Sequence, residues 1–150
     1  MPALFDRLGI KFQYPENWQL DQDDAIEGGQ SVTVYSPGGA FWTLMIHPHS
    51  ADPARLAKAA VDVMRQEYEE LEAEAVQESL AGRDTVGYNL NFYYLDLTNT
   101  AVVRSFRTNR RTYTIFNQAE DREFEQIERV FLAIATSLIG GLEAAGETAV

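Results

Sequence analysis

An α+β fold, an α/β/α sandwich built on one central antiparallel sheet, is the architecture the sequence predicts, and three observations predict it. Two segments carry apolar residues at helical spacing: Leu56, Ala60, Met64, Tyr68 and Leu71, and later Phe124, Ile127, Phe131, Ile134 and Leu138. Each set forms a single stripe down one side of a helix. Between about Glu74 and Ala119 the apolar period falls to two, as in strands. The connections between alternating runs are short and carry turn residues, which joins neighbours as antiparallel pairs. Each helix must bury its stripe against an apolar sheet face, so the sheet lies between the helices. A chain of 150 residues with no repeat or linker suits one domain over 1–150.

The elements follow in chain order: N-terminal hairpin strands, a helix, an antiparallel meander and a C-terminal helix. "KFQY" (11–14) alternates and stops at Pro15, which has no N–H to give a neighbouring strand. Trp18 then folds back as a large apolar plug at the end of the sandwich, in preference to serving as a ligand platform. "DQDDAIEGG" (21–29) reads as a solvated acidic loop closed by Gly28 and Gly29. It is no EF-hand: counted from Asp21, the sixth and twelfth positions hold Ile26 and Val32 in place of Gly and Glu. "SVTVYS" and "AFWTLMI" form a hairpin through "SPGG", in which Pro sets φ and Gly supplies the left-handed conformation. Asp52 caps the first helix, with Pro53 at its first position.

In "TVGYNLNFYYL" the residues Val86, Tyr88, Leu90, Phe92 and Tyr94 share one face, with Asn89 and Asn91 on the other. The apolar face takes one helix, and Tyr93, Leu95 and their neighbours are expected to take the other. "AVVRSFRT" and "RTYTIFN" complete the meander through "TNRR", where Asn109 suits the positive φ of a tight turn. The last helix starts near Asp121, Gly140 and Gly141 stop it, and 142–150 is a flexible tail.

The formal net charge of -11 and a pI near 4.5 describe a polyanion that repels phosphate backbones, so no nucleic-acid partner is expected. There is no cysteine, which removes disulfides, thiolate nucleophiles and cysteine metal ligands. The opening "MPALFDRLGI" has no apolar signal core, and no run approaches the ~20 apolar residues of a membrane span. A cytoplasmic protein without membrane insertion is expected.

Few residues offer site chemistry. The two histidines, His47 and His49 in "IHPHS", would point the same way on an extended strand, with Asp52 near enough to be a third metal ligand. Two imidazoles fall short of the donors a zinc site uses, so no tight divalent metal and no cofactor is expected. Arg104, Arg107, Arg110 and Arg111 gather a third of the twelve Lys and Arg residues on one hairpin. In an acidic protein such a local positive field is a candidate surface for a protein partner, with Arg110 and Arg111 free at the turn. The aromatic residues of the meander serve mainly as core. Where a helix covers its face incompletely, they would line a groove for an apolar partner. No G-x-S-x-G, G-x-G-x-x-G or P-loop occurs, and little here suits acid–base or nucleophilic catalysis, so a non-enzyme is expected.

Three stretches carry a resemblance. "KFQY" followed by P-x-x-W, "AVQESLAGRDTVGYNLNF", and "RTYTIFNQAEDREFEQIERVFLAIATSL" with Ser137 and Leu138 near its end resemble the PsbP-like family in the order and pattern of its elements. That family includes the extrinsic photosystem II subunit and the Ran-binding nuclear import factor. The resemblance covers about residues 8–138 and points to a bacterial member. It implies a non-enzymatic binding or adaptor module that recognises a protein or peptide segment on the sheet surface or in a groove between helix and sheet. It leaves two alternatives: a small chaperone for a secreted effector, or a metal-binding protein using His47 and His49. No ligand motif of the family is present to carry over.

Overall fold

The computed structural model describes residues 1–26 and 29–149. Eleven elements follow in order: β1 (Ala3–Arg7), β2 (Ile10–Tyr14), β3 (Gln19–Ile26), β4 (Gly29–Tyr35), β5 (Phe41–Pro48), α1 (Pro53–Glu67), β6 (Glu72–Leu80), β7 (Arg83–Tyr94), β8 (Leu97–Arg107), β9 (Arg111–Glu120) and α2 (Asp121–Ala144). The main sheet is antiparallel and seven-stranded, in the order β3-β4-β5-β9-β8-β7-β6, and β1 and β2 form a separate two-stranded ribbon. The predicted α+β sandwich is therefore present, with the crossover through α1 carrying the chain from β5 to the opposite edge at β6.

Each face of the sheet has its own core. Ala57 and Val61 of α1 and Leu71 just beyond it pack on Leu90, Phe92, Ala101, Val103 and Phe116. On the other face, Ile134, Leu138 and Leu142 of α2 meet Trp42, Leu44 and Ile115, with Phe5 and Phe12 of the ribbon filling the same layer. Phe12 lies 5.0 Å from the Trp42 ring, so the ribbon is part of the α2 layer and not an edge of the sheet. Trp18 is 7 % exposed and meets Phe131 edge-on at 5.9 Å, the plug position expected of it. Its N–H donates to the Pro15 carbonyl (3.0 Å), closing the turn that Pro15 begins.

Four features differ from the expectation. The acidic stretch from Asp21 is strand β3 up to Ile26, paired with β4 (Asp21 opposite Thr33) and interrupted by a bulge between Asp23 and Ile26. Of the two glycines expected to close that loop, Gly28 lies outside the described residues, and Gly29 is the first residue of β4. Pairing with a ready-made hairpin edge overrides the low strand propensity of Asp and Gln. Tyr93 and Leu95 are not under a helix: they are 66 % and 77 % exposed at the β7–β8 tip. Asn109 is not among the residues of positive φ. The Thr108 hydroxyl organises that turn, accepting from the N–H groups of Arg110 and Arg111 (both 3.1 Å).

The fourth concerns the C-terminus. Gly140 and Gly141 do not stop α2, which runs to Ala144. A Cβ at Gly141 would lie 2.8 Å from the Lys11 carbonyl, so this glycine lets the helix press against the β2 backbone. One turn earlier the Ser137 hydroxyl accepts from the Gln13 N–H (2.8 Å). Nor are residues 142–149 a loose tail. Leu142 is 1 % and Glu147 0 % exposed, and Ala149 bridges to Thr108.

Candidate functional site

The alternation of β7 decides where a cleft can form. Leu90 and Phe92 point to α1, so Gly87, Asn89 and Asn91 face the α2 side, a polar half-sheet that an apolar helix does not cover. α2 lies over β9 and β8 beside the ribbon, leaving a cleft of about 710 Å³ between itself and the strands β6, β7 and β8, with Asn117 of β9 at its inner end. Strand register gives its floor. One row runs from Asn117 through Val102 and Asn89 to Glu74, and the next from Ala119 through Thr100 and Asn91 to Glu72. The wall comes from α2, with Phe124, Glu128, Phe131 and Leu132, the last 53 % exposed.

Arg104 fixes the floor. It is 5 % exposed, and its guanidinium donates to Glu78 Oε1 (2.6 Å), Asn89 Oδ1 (2.7 Å) and the carbonyls of Val103 (2.9 Å) and Tyr88 (3.1 Å). Opposite it stands Gly87, where an added Cβ would fall 1.7 Å from the Val103 carbonyl oxygen, so only glycine fits that strand pair. The Thr100 hydroxyl donates to Asp121 (2.7 Å), tying the first turn of α2 to the cleft edge.

Asn117 is different. It is 8 % exposed, yet its Oδ1 is buried and accepts no hydrogen bond from any of the described residues. A buried acceptor without a donor is costly, and a ligand N–H or O–H reaching it would relieve that cost. Glu72, Glu74 and Glu128 make no ion pair among the described residues, whereas the charge of Glu78 is met by Arg104. Sequence reasoning passed over Asn117. The signal was there: it continues the inward face of Tyr113 and Ile115, where a carboxamide is out of place.

The four hairpin arginines do not form one open patch. Arg104 belongs to the cleft. Arg107 donates to the Ala51 carbonyl (2.9 Å), holding the loop before α1. Arg111, expected to be free at the turn, donates to the Leu8 carbonyl (2.9 Å) and Glu147 Oε2 (3.1 Å) and lies over the Tyr113 ring at 5.4 Å. Arg110 alone of the four is exposed.

Glu147 is the centre of this second cluster. Its carboxylate accepts from Thr108 (2.7 Å), Tyr113 (2.5 Å) and Arg111, and its own carbonyl accepts from Arg83 (3.3 Å). Burial pushes its pKa up, but the hydrogen bonds from Tyr113, Arg111 and Thr108 outweigh burial and leave it lowered. Burial, reinforced by the bond to Glu147, raises that of Tyr113 well beyond the ordinary phenol value. The cluster joins the C-terminus, the β8–β9 turn and the β1–β2 turn, which gives it the character of a structural clasp.

The histidines stand apart from both clusters. β5 ends at Pro48, so His49 falls in the following turn and does not continue the alternation of half-buried His47. Burial lowers the pKa of His47. The Asp52 carboxylate accepts from the Arg55 N–H (3.1 Å) as the α1 cap. Among the described residues no three His, Asp or Glu side chains are placed to share a metal ion.

A seven-stranded antiparallel sheet with a helix on each face and a ribbon beside one of them defines an α+β sandwich. No family model matches the sequence, and no curated protein matches it. Solved structures do match in shape. The solution structure of cyanobacterial PsbP from Synechocystis aligns with a TM-score of 0.60 at 13 % identity, covering 91 % of this chain and 90 % of its own. The crystal structure of a protein of unknown function from Pseudomonas aeruginosa, described as a putative regulator, aligns at 0.52 with 9 % identity, covering 91 % and 95 %. At these identities the likeness speaks for the fold, and the protein has the PsbP-like fold. No helix among the described residues is long and apolar enough to cross a membrane.

Proposed function

We propose that the protein is a non-enzymatic binding module that holds a segment of a partner protein in the cleft between α2 and the β6–β8 half of the sheet. The observation that carries this reading is the buried, unpartnered Oδ1 of Asn117 on the floor of a cleft whose wall exposes Leu132. A peptide brings both a backbone N–H for the first and an apolar side chain for the second. The carboxamides, hydroxyl and carboxylates of the lining stand beside Phe124 and Leu132, which suits the mixed polar and apolar surface of a peptide. The cytoplasmic setting expected from the sequence goes with this reading.

The arginine hairpin has a reduced part in it. Arg104 acts through the cleft floor, and Arg110 is the hairpin cation able to meet a partner in solution. The test places a photo-crosslinking residue at Leu132 and, as a control, at Val63 on the exposed side of α1. Crosslinking in native lysate followed by peptide mapping should return one recurrent partner segment from Leu132 and none from Val63. Equal yields at the two positions would refute the assignment of the cleft.

A further inference from the structure

Resting on the reading of the cleft as a segment-binding site, we propose that the segment it takes is basic, with N–H donors reaching Asn117 and lysine or arginine side chains meeting Glu72, Glu74 and Glu128. Four carboxylates line the cleft against two guanidinium groups. One of those guanidinium groups, on Arg104, is spent on Glu78 and three other acceptors, and the other, on Arg129, sits on the exposed surface of α2. What the cleft presents to an incoming ligand is therefore an acceptor-rich, acidic surface within a chain of net charge -11. An anionic segment would meet like charge and leave the Asn117 oxygen without a donor. A cationic one meets complementary charge at the exposed carboxylates and supplies the donor.

The geometry sets the length. Asn117 and Glu74 stand on β9 and β6, three strand spacings apart along one row of the sheet. At about 4.8 Å per spacing this is roughly 14 Å, the span of about four residues of extended chain. Phe124 and Leu132 line the same side as Glu128, so the methylene stem of a lysine or arginine has apolar surface to lie on while its head group reaches a carboxylate.

Three octapeptides test this, identical except that every second residue is lysine, serine or glutamate, each titrated into isotope-labelled protein while amide and Asn side-chain resonances are followed. The lysine peptide should shift the Asn117, Asn89 and Leu132 signals, bind at least about tenfold more tightly than the serine peptide, and weaken as salt rises from 50 to 200 mM, on the order expected for exposed charge pairs. A Glu74→Gln/Glu128→Gln variant changes only exposed groups and should weaken the lysine peptide to the level of the serine one. If the serine or glutamate peptide binds the cleft as tightly as the lysine peptide, the basic chemistry is overturned while the segment reading stands. If the lysine peptide binds but ignores the double variant, the proposal is likewise overturned. If none of the three shifts the cleft resonances, the proposal and the segment reading fall together.

Discussion

Replacing Glu147 by alanine removes the acceptor on which Tyr113, Thr108 and Arg111 converge. The site is deep: Glu147 and Tyr113 are both 0 % exposed. Breaking a buried charged pair costs roughly 3–5 kcal/mol, because the partner is left without its counter-charge. Arg111 is 25 % exposed at its side chain and keeps the Leu8 carbonyl, so water and that carbonyl recover part of the loss. A value near the lower end, about 3 kcal/mol, is expected, which for a chain of this size lowers Tm by about 6–12 °C. Glu147→Gln keeps one acceptor oxygen for Tyr113 and Thr108 but loses the charge and turns an NH2 donor toward Arg111, so it should cost less than the alanine change, about 1–2 kcal/mol.

The pH dependence has a definite sign. The folded-state pKa of Glu147 is lowered, because hydrogen bonds from Tyr113, Arg111 and Thr108 overcome the burial that raises it. Its contribution is then complete above the unfolded-state value of about 4.3 and is lost as pH falls through the folded pKa. The gap between the native protein and Glu147→Gln should therefore narrow below about pH 4. Urea unfolding followed by tryptophan fluorescence measures all three chains. An unchanged midpoint for Glu147→Ala, or for a chain ending at Gly146, would refute the clasp and return the last residues to a frayed tail.

Other substitutions separate packing from surface. Trp18→Ala should destabilise by ~3 kcal/mol or more, the large-to-small core magnitude, and an unchanged denaturant midpoint would show the indole to be dispensable. Gly141→Ala should cost about 1–3 kcal/mol by pushing α2 off the Lys11 carbonyl. At Gly140, by contrast, an added Cβ meets nothing within 4 Å. Gly140→Ala should therefore stabilise by about 0.5–1 kcal/mol through helix propensity, and equal effects at the two glycines in thermal melts would contradict the close approach. Arg110→Glu should leave the midpoint within about 0.5 kcal/mol, whereas Arg104→Met should lower it by ~2 kcal/mol or more because several buried acceptors lose their donor. Chemical denaturation of the two variants side by side decides it, and a tolerant Arg104 would dissolve the cleft floor.

Local signals were enough for much of the fold. The spacing of Leu56 to Met64 and of Phe124 to Leu138 marks two helices, but α1 ends at Glu67, so Tyr68 and Leu71 of the first stripe lie beyond it, and the residues it buries most deeply are Ala57 and Val61. The Asp52–Pro53 cap lies where the sequence places it, with the Asp52 side chain accepting from the Arg55 N–H. The alternation in β7 separates Leu90 and Phe92 from Asn89 and Asn91, as expected, since a strand offers two faces and no third. Other features depended on partners far along the chain. β3 exists because β4 offers it an edge, and β1 turns back through Leu8 and Gly9, both at positive φ, a conformation that a leucine does not announce.

The same division separates the two sites. Composition alone established an acidic, cysteine-free chain with two neighbouring histidines and one cluster of arginines. Whether each arginine is free depended on what the fold brings within about 3 Å: Glu78 and Asn89 to Arg104, Ala51 to Arg107, and Leu8 and Glu147 to Arg111. Gly141 reads locally as a helix stop, and it became a point of contact only because β2 packs there. Periodicity is written in neighbouring residues and survives in one dimension. The satisfaction of a charge or a buried acceptor such as Asn117 depends on groups tens of residues away, and only the folded chain decides it.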